Sequence, residues 1–378
     1  RREAKPSIWA YYERKEKSSE ELEDDADCLG NCVLVEKVPC DDEKRERYKY
    51  KFNTQNYKIK EGNSASDIFE ERNFGKVESI DEIDDDENYI EISISKKILE
   101  KDVGSMPINL NLGPPPSPDT NVIASALNKF IQSYLDKGTT KYKCADDLLK
   151  KNRPDIPSFV LEQSIIDYQK DIIEESIKVI KNLNSSYILI QGPPGSGKTY
   201  ASAKIILSLL KDGKKVGVTS NSHKAINNLL EKIEENAETD KFTFKGFKKA
   251  SKKEDKFEGN NIKDLDLHTK PKDCLLYAGT VWLFSDARLD QQLDYIFIDE
   301  AGQVSLANTL AIATSTKNLV LIGDQMQLSQ PIQGIHVGNS GKSSLGFLLE
   351  GQDTIPADQG IFLNKTRRLN NKICSYIS

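Results

Sequence analysis

The sequence predicts an α/β chain, with a mostly parallel sheet between helices and a small β-barrel domain in front of it. Three observations carry this. Behind residue 166, helical patterns alternate with the short apolar runs "SYILIQ", "KVGVTS", "CLLYAG", "DYIFID" and "NLVLIG". A strand apolar on both faces is buried on both faces, as in a parallel sheet covered by helices. In the first hundred residues lie the β-prone pieces "VLVEKV", "RYKYKF" and "YIEISIS", the last alternating as a half-buried strand does. Between the two regions, "GSMPINLNLGPPPSPDT" carries a triple proline that neither a helix nor a central strand accepts.

In chain order, residues 10–27 are rich in Lys, Glu and Asp and read as a solvated helix or mobile arm. The turn signals "EGN" and "DDDEN" separate the β-prone pieces, so 1–103 is expected to be a β-barrel-like accessory domain with a helical arm. Residues 104–120 read as a proline-rich linker. "NVIASALNKFIQSYL" has helical spacing and opens a helical connection, which with the α/β lobe spans 121–358.

The chain has 378 residues, room for two or three domains. At 37% hydrophobic and 30% charged, it suggests packed domains joined to solvated stretches. The net charge of -6 excludes a polycation, so a nucleic-acid site must be a local patch. No apolar run reaches the roughly 18 residues of a membrane span. The N-terminus shows neither an apolar leader nor an initiator Met, which predicts no secreted precursor and a fragment of something longer. Cys28, Cys32 and Cys40 lie far from His223, His268 and His336 and fall short of a four-ligand zinc site. They read as buried thiols in a reducing cytoplasm.

Gly192-Pro193-Pro194-Gly195-Ser196-Gly197-Lys198-Thr199 fits G-x-x-x-x-G-K-[ST], the P-loop. Glycines let consecutive N–H groups point at phosphate oxygens. The helix starting near Lys198 turns its positive dipole end to the same charge. Lys198 adds a full charge at the β/γ-phosphates, and Thr199 offers a hydroxyl to Mg²⁺. A strand enters this turn and the helical run "YASAKIILSLL", starting at Tyr200, leaves it. ATP and Mg²⁺ are the expected ligands. The motif alone does not separate kinase, switch and motor.

"YIFIDEA" delivers Asp299 and Glu300 to the carboxyl end of a buried strand. Asp299 would join the metal shell, while Glu300 would orient or deprotonate an attacking water. That use of a second acid favours hydrolysis; Asp299 as a helix cap is the alternative. "LIGDQMQL" ends another buried strand and places Gln327 to sense a γ-phosphate. Arg368 is a candidate for stabilising transition-state charge, against a plain surface basic cluster. Gln169, in "SIIDYQKDIIEESI", has an amide able to pair with an adenine edge; by itself it is a polar residue on a helix. "KFTFKGFKKASKKEDKF" (241–257) interleaves Lys and Phe. It can track a phosphate backbone, or be a solvated loop that its phenylalanines anchor.

Taken together, Gln169, "QGPPGSGKT", "VTSNSHKA", "AGTVW", "FIDEAGQ", "LIGDQMQL" and "TRRLNNKIC" resemble superfamily 1 helicases. "DEAGQ" and "SNSHKAINNLL" look most like their 5′-to-3′ branch. "ANTLAIA", "LVLIGD", "QPIQG" and "IFLNKTRRLNNKICSYIS" look like the helicase half of bacterial RecB-like nuclease-helicase proteins. The resemblance covers about residue 160 to the end. It implies a RecA-like first lobe, with 359–378 opening a second. It implies that Ser222, His223, Lys224, Gly279 and Thr280 touch the phosphates of a single strand. The free N–H groups and hydroxyls after a strand suit that contact. Trp282 can stack a base or sit in the core. These helicases commonly place an adenine-stacking aromatic where this chain has Arg367, whose flat guanidinium can stack instead.

The expectation is an ATP-dependent single-stranded nucleic-acid translocase or helicase, DNA ahead of RNA. It would be monomeric and cytoplasmic, without a membrane, with a possible nuclease domain in the parent protein. The alternatives are a non-catalytic nucleotide and nucleic-acid binding module, or an unrelated P-loop ATPase.

Overall fold

The computed structural model describes residues 5–70, 72–82, 88–114, 120–137, 140–157, 163–250, 253–265, 267, 269, 273–327 and 336–364. They divide into two compact units, Arg1–Pro118 and Asp119–Ser378.

In the first unit, β1 (Leu29–Val38), β2 (Arg45–Phe52), β3 (Ser64–Asp67), β4 (Arg72–Glu82), β5 (Asn88–Ser95) and β6 (Asn109–Gly113) close a barrel in the order β1-β2-β5-β4-β3-β6. The pairings are antiparallel. Period two explains the core: Tyr50 and Phe52 of β2 and Ile90, Ile92 and Ile94 of β5 are buried. The stretch expected to be a linker supplies the closing strand. Leu110 and Leu112 of β6 are buried, and Asn111 N–H donates to Asp67 Oδ2 at 2.8 Å. The alternation N-L-N-L there is short, and the prolines beside it obscure the strand. Before β1, the helix Lys5–Glu16 is tied down by Arg14, whose guanidinium lies 2.9 Å from Asp25 and 2.7 Å from Asp27. Cys28 and Cys32 are buried free thiols, and Cys40 is half-buried.

The second unit is built on an eight-stranded sheet. Its strands are β7 (Tyr187–Gln191), β8 (Val216–Thr219), β9 (Gly246–Lys248), β10 (Ile262–Asp264), β11 (Leu276–Ala278), β12 (Leu293–Ile298), β13 (Thr316–Gly323) and β14 (Gly360–Phe362). They run β10-β9-β11-β8-β12-β13-β7-β14, and the pairs are parallel. The predicted strands form the middle; β9, β10 and β14 widen it. Gly360–Phe362 was expected to open a second lobe but pairs with β7 in this sheet. Ile361 is fully buried there, and that burial favours the sheet edge.

Alternate residues feed cores on opposite faces. Ile188 and Ile190 join one, with the helices Ile172–Lys181, Lys198–Lys211 and His223–Thr239. Tyr187 and Leu189 join the other, with Asn121–Lys137 and Leu306–Ala313. Parallel strands end on one side, so every loop leaving a carboxyl end shares one edge. Among the described residues no helix is long and apolar enough to cross a membrane.

Candidate nucleotide and nucleic-acid site

β7 is buried along its whole length. Its last residue, Gln191, accepts from Ile355 N–H at 2.6 Å and donates to the Asp353 carbonyl at 2.9 Å, so the strand stops at a fixed point. The chain turns through 192–197 into the helix Lys198–Lys211. Gly195 and Gly197 have φ of +82° and +87°, where a side chain would be strained. A Cβ on Gly192 would lie 2.4 Å from Ser196 Oγ.

This helix has no side-chain N-cap, whereas Asp171 and Ser222 cap the helices on either side in sequence. With no side chain capping it, the start of this helix suits an anion. Ser196 Oγ is buried without a hydrogen-bond partner. Lys198 is 9% exposed, and its Nζ donates to the Gly192 and Pro193 carbonyls at 2.8 and 3.4 Å.

Asp299 and Glu300 follow β12, on the same edge as this turn, with β13 between β12 and β7. Asp299 is 6% exposed, and its Oδ1 accepts Glu300 N–H at 3.0 Å. Burial pushes its carboxyl up to about 6, and the Glu300 carboxylate adds to this. The Glu300 amide and the Lys198 ammonium oppose the shift, so the acid and the loop lysine share one field. Glu300 has φ +52° and ψ +44°, a left-handed conformation costing a non-glycine residue roughly 1–3 kcal/mol. The 3₁₀ turn Ala301–Gln303 follows it, with Gln303 N–H donating to the Glu300 carbonyl at 2.8 Å.

One open cleft is lined by Pro194, Gly195, Gly197, Lys198, Thr199, Tyr200, Glu300 and Gln327. The phosphate loop, the second acid and the glutamine after β13 therefore meet. Asn228, Lys232 and Glu235 of the helix His223–Thr239 form its far wall. Sequence reasoning missed these; their spacing of four and three residues marks one helix face. A second hollow beside the loop is lined by Asp171, Ile172, Ile173, Ser196 and Leu363. Gln169 lines neither hollow. It is exposed in the turn before the helix, not on it, with its N–H on Asp167 Oδ1 at 3.0 Å. Arg367 and Arg368 lie outside the described residues.

The candidate strand contacts sit on the same edge. Ser222 caps its helix by accepting from Ala225 N–H, and Ser222 and Lys224 are exposed, with His223 half-buried. β11 lies beside β8, and Gly279 N–H donates to the Val218 carbonyl at 3.2 Å. This brings Gly279 and Thr280 alongside the Ser222 turn. Thr280 starts the helix Val281–Phe284 without a side-chain cap bond. Trp282 is 42% exposed, which removes the core reading for it. The Lys/Phe stretch turns its rings inward. Phe244 and Phe247 are buried, and Phe242 and Phe257 pack against the core. Its phenylalanines anchor it, and bases would not reach the buried pair.

The lobe is thus an α/β sheet with a P-loop after β7, a cleft beside that loop lined by Glu300, and Asp299 within the field of the loop lysine. Residues 172–339 match the AAA domain family. The DNA replication ATP-dependent helicase/nuclease of Saccharomyces cerevisiae is 28% identical over 209 residues, covering 53% of this chain and 13% of that protein. The RecBCD enzyme subunit RecD of Buchnera aphidicola is 27% identical over 218 residues, covering 54% and 33%. A crystal structure of Arterivirus nonstructural protein 10 (helicase) matches at TM-score 0.36 and 12% identity, over 92% of this chain and 56% of that one; so slight a likeness carries no argument. The sequence relatives bear out the resemblance to superfamily 1 helicases and support closeness to the RecB-like proteins only loosely. In these two alignments the chain spans 13% and 33% of the relatives' length.

Proposed function

We propose that this chain is the ATP-hydrolysing lobe, with its accessory barrel, of a single-stranded nucleic-acid translocase or helicase. One observation carries the reading: the phosphate loop after β7 and the acids after β12 share an edge with the exposed turns after β8 and β11. Phosphate oxygens would replace the Gly192 and Pro193 carbonyls on Lys198 Nζ and meet the uncapped amides and Ser196 Oγ.

The residues present fit Mg²⁺. Thr199 and Asp299 offer hard oxygens, and a buried carboxyl held up at about 6 gains from a neighbouring cation. When bound with the nucleotide, the ion would supply charge neutralisation at the phosphates. Glu300 would orient water and accept its proton, and Gln327 would sense the γ-phosphate. Arg368 and Arg367 keep their proposed roles at the transition state and the base, and Gln169 its role at the adenine edge. DNA is the proposed strand, since the yeast relative is a DNA replication enzyme. That relative is a helicase/nuclease, which also supports a nuclease domain in the parent protein. The parent would act as a monomer in the cytoplasm.

The test is ATP turnover by the full-length parent, with and without single-stranded DNA. Lys198→Ala should lower stimulated turnover by about 10²–10³-fold or more. Unchanged turnover would end the reading, and nucleotide and strand binding without phosphate release would leave a binding module.

A further inference from the structure

We propose that Asn221 is a positioning residue that ties strand binding to the hydrolytic carboxylate. This rests on the reading above, in which Ser222–Lys224 touch a strand and Glu300 faces water. Asn221 Nδ2 donates to the Gln303 carbonyl. Two residues earlier, the Thr219 carbonyl accepts from Asp299 N–H at 2.9 Å. The turn carrying Glu300 is therefore pinned at both ends to the one loop that leads into the candidate strand contacts.

Its other side has little freedom. A Cβ on Gly302 would lie 3.0 Å from the Asp324 carbonyl oxygen, and one on Gly323 would lie 3.2 Å from Ala301 N. Ser344 Oγ donates to the Ala301 carbonyl at 3.1 Å. The turn is thus braced by the end of β13 and by Ser344, and held toward β8 by the Asn221 amide. Glu300 occupies a left-handed conformation, which the surrounding structure must maintain. The direction of its side chain follows from that conformation. A strand settling on Ser222 shifts the adjacent Asn221 backbone, and the amide passes that shift to Gln303 and so to Glu300.

Asn221→Asp in the full-length protein keeps the shape but sets a carboxylate against a carbonyl, with no donor between them. Asn221→Ala removes the link. The readouts are ATP turnover with and without a thymidine oligonucleotide, oligonucleotide affinity by fluorescence anisotropy, and the thermal midpoint. The ratio of stimulated to unstimulated turnover is expected to fall about fivefold or more in both variants. Oligonucleotide affinity should stay within about twofold and the midpoint should hold. An unchanged ratio overturns the inference, as does a ratio falling only in step with lost affinity. A lowered midpoint with both rates reduced together makes Asn221 merely structural and also overturns it. A wild type that no strand stimulates would sink the motor reading itself, whereas an unchanged ratio in variants of a stimulated wild type removes this inference alone.

Discussion

Two lysines of the lobe are nearly withdrawn from water, and their surroundings differ. Lys198 is 9% exposed, and its ammonium rests on the Gly192 and Pro193 carbonyls beside an open cleft. Lys248 is fully buried at the end of β9, and its ammonium donates to the Asp255 carbonyl. Carbonyls at the rim of a cleft can be exchanged for the oxygens of an arriving anion. A carbonyl held against an ammonium with no exposure to water offers no such exchange. Burial of a cation therefore says little about function until one asks what could replace its partners.

The largest effect is expected in the strand that carries the covered lysine. Phe247 is fully buried and meets Tyr277 edge to face with centroids 5.3 Å apart. Phe247→Ala should cost about 3–5 kcal/mol in denaturant unfolding. Strand affinity per folded molecule should not change; a specific loss of strand binding would return this stretch to the nucleic-acid interface. Next comes the open side. Gly192→Ala places a Cβ 2.4 Å from Ser196 Oγ, and the displaced turn should cost roughly 1–3 kcal/mol of stability and weaken nucleotide affinity with it. Titration with a fluorescent ATP analogue checks this, and normal affinity would show that the cradle is not used.

The smallest effect is a pH dependence. Burial lowers the pKa of Lys248, with the Asp255 and Asp264 charges opposing. The folded state then releases this proton before the unfolded state does. Between the lowered value and the ordinary lysine value, the unfolded chain binds more protons, so stability rises with pH there. Lys248→Met should flatten that rise in unfolding curves taken across the alkaline range. An identical slope in the variant would mean the ammonium is solvated after all.

Legibility in the sequence followed the range of the interactions involved. The P-loop could be read because its glycines, its lysine and the start of its helix act within eight residues. The acids at 299 and 300 could be read because an uninterrupted apolar strand precedes them. Gln169 was misplaced onto a helix, since Asp171 two residues later is the actual cap. Asn228, Lys232 and Glu235 went unseen because only the packed helix shows that they face the phosphate loop. Trp282 was ambiguous because a tryptophan serves equally in a core or on a surface. The left-handed backbone at Glu300 has no signal in the letters D-E-A.

From the residues alone came the α/β class, the five middle strands and the turn that suits phosphate. Those depend on periodicity and local backbone chemistry, which a short window contains. The tertiary structure decided that 109–113 closes the barrel and that Gly360–Phe362 joins the first sheet. It also decided that the phenylalanines of 241–257 point inward, and that Asn221 reaches the turn behind Glu300. Strands of three to five residues and single side-chain bonds draw their stability from partners distant in sequence, so only the assembled fold selects among them.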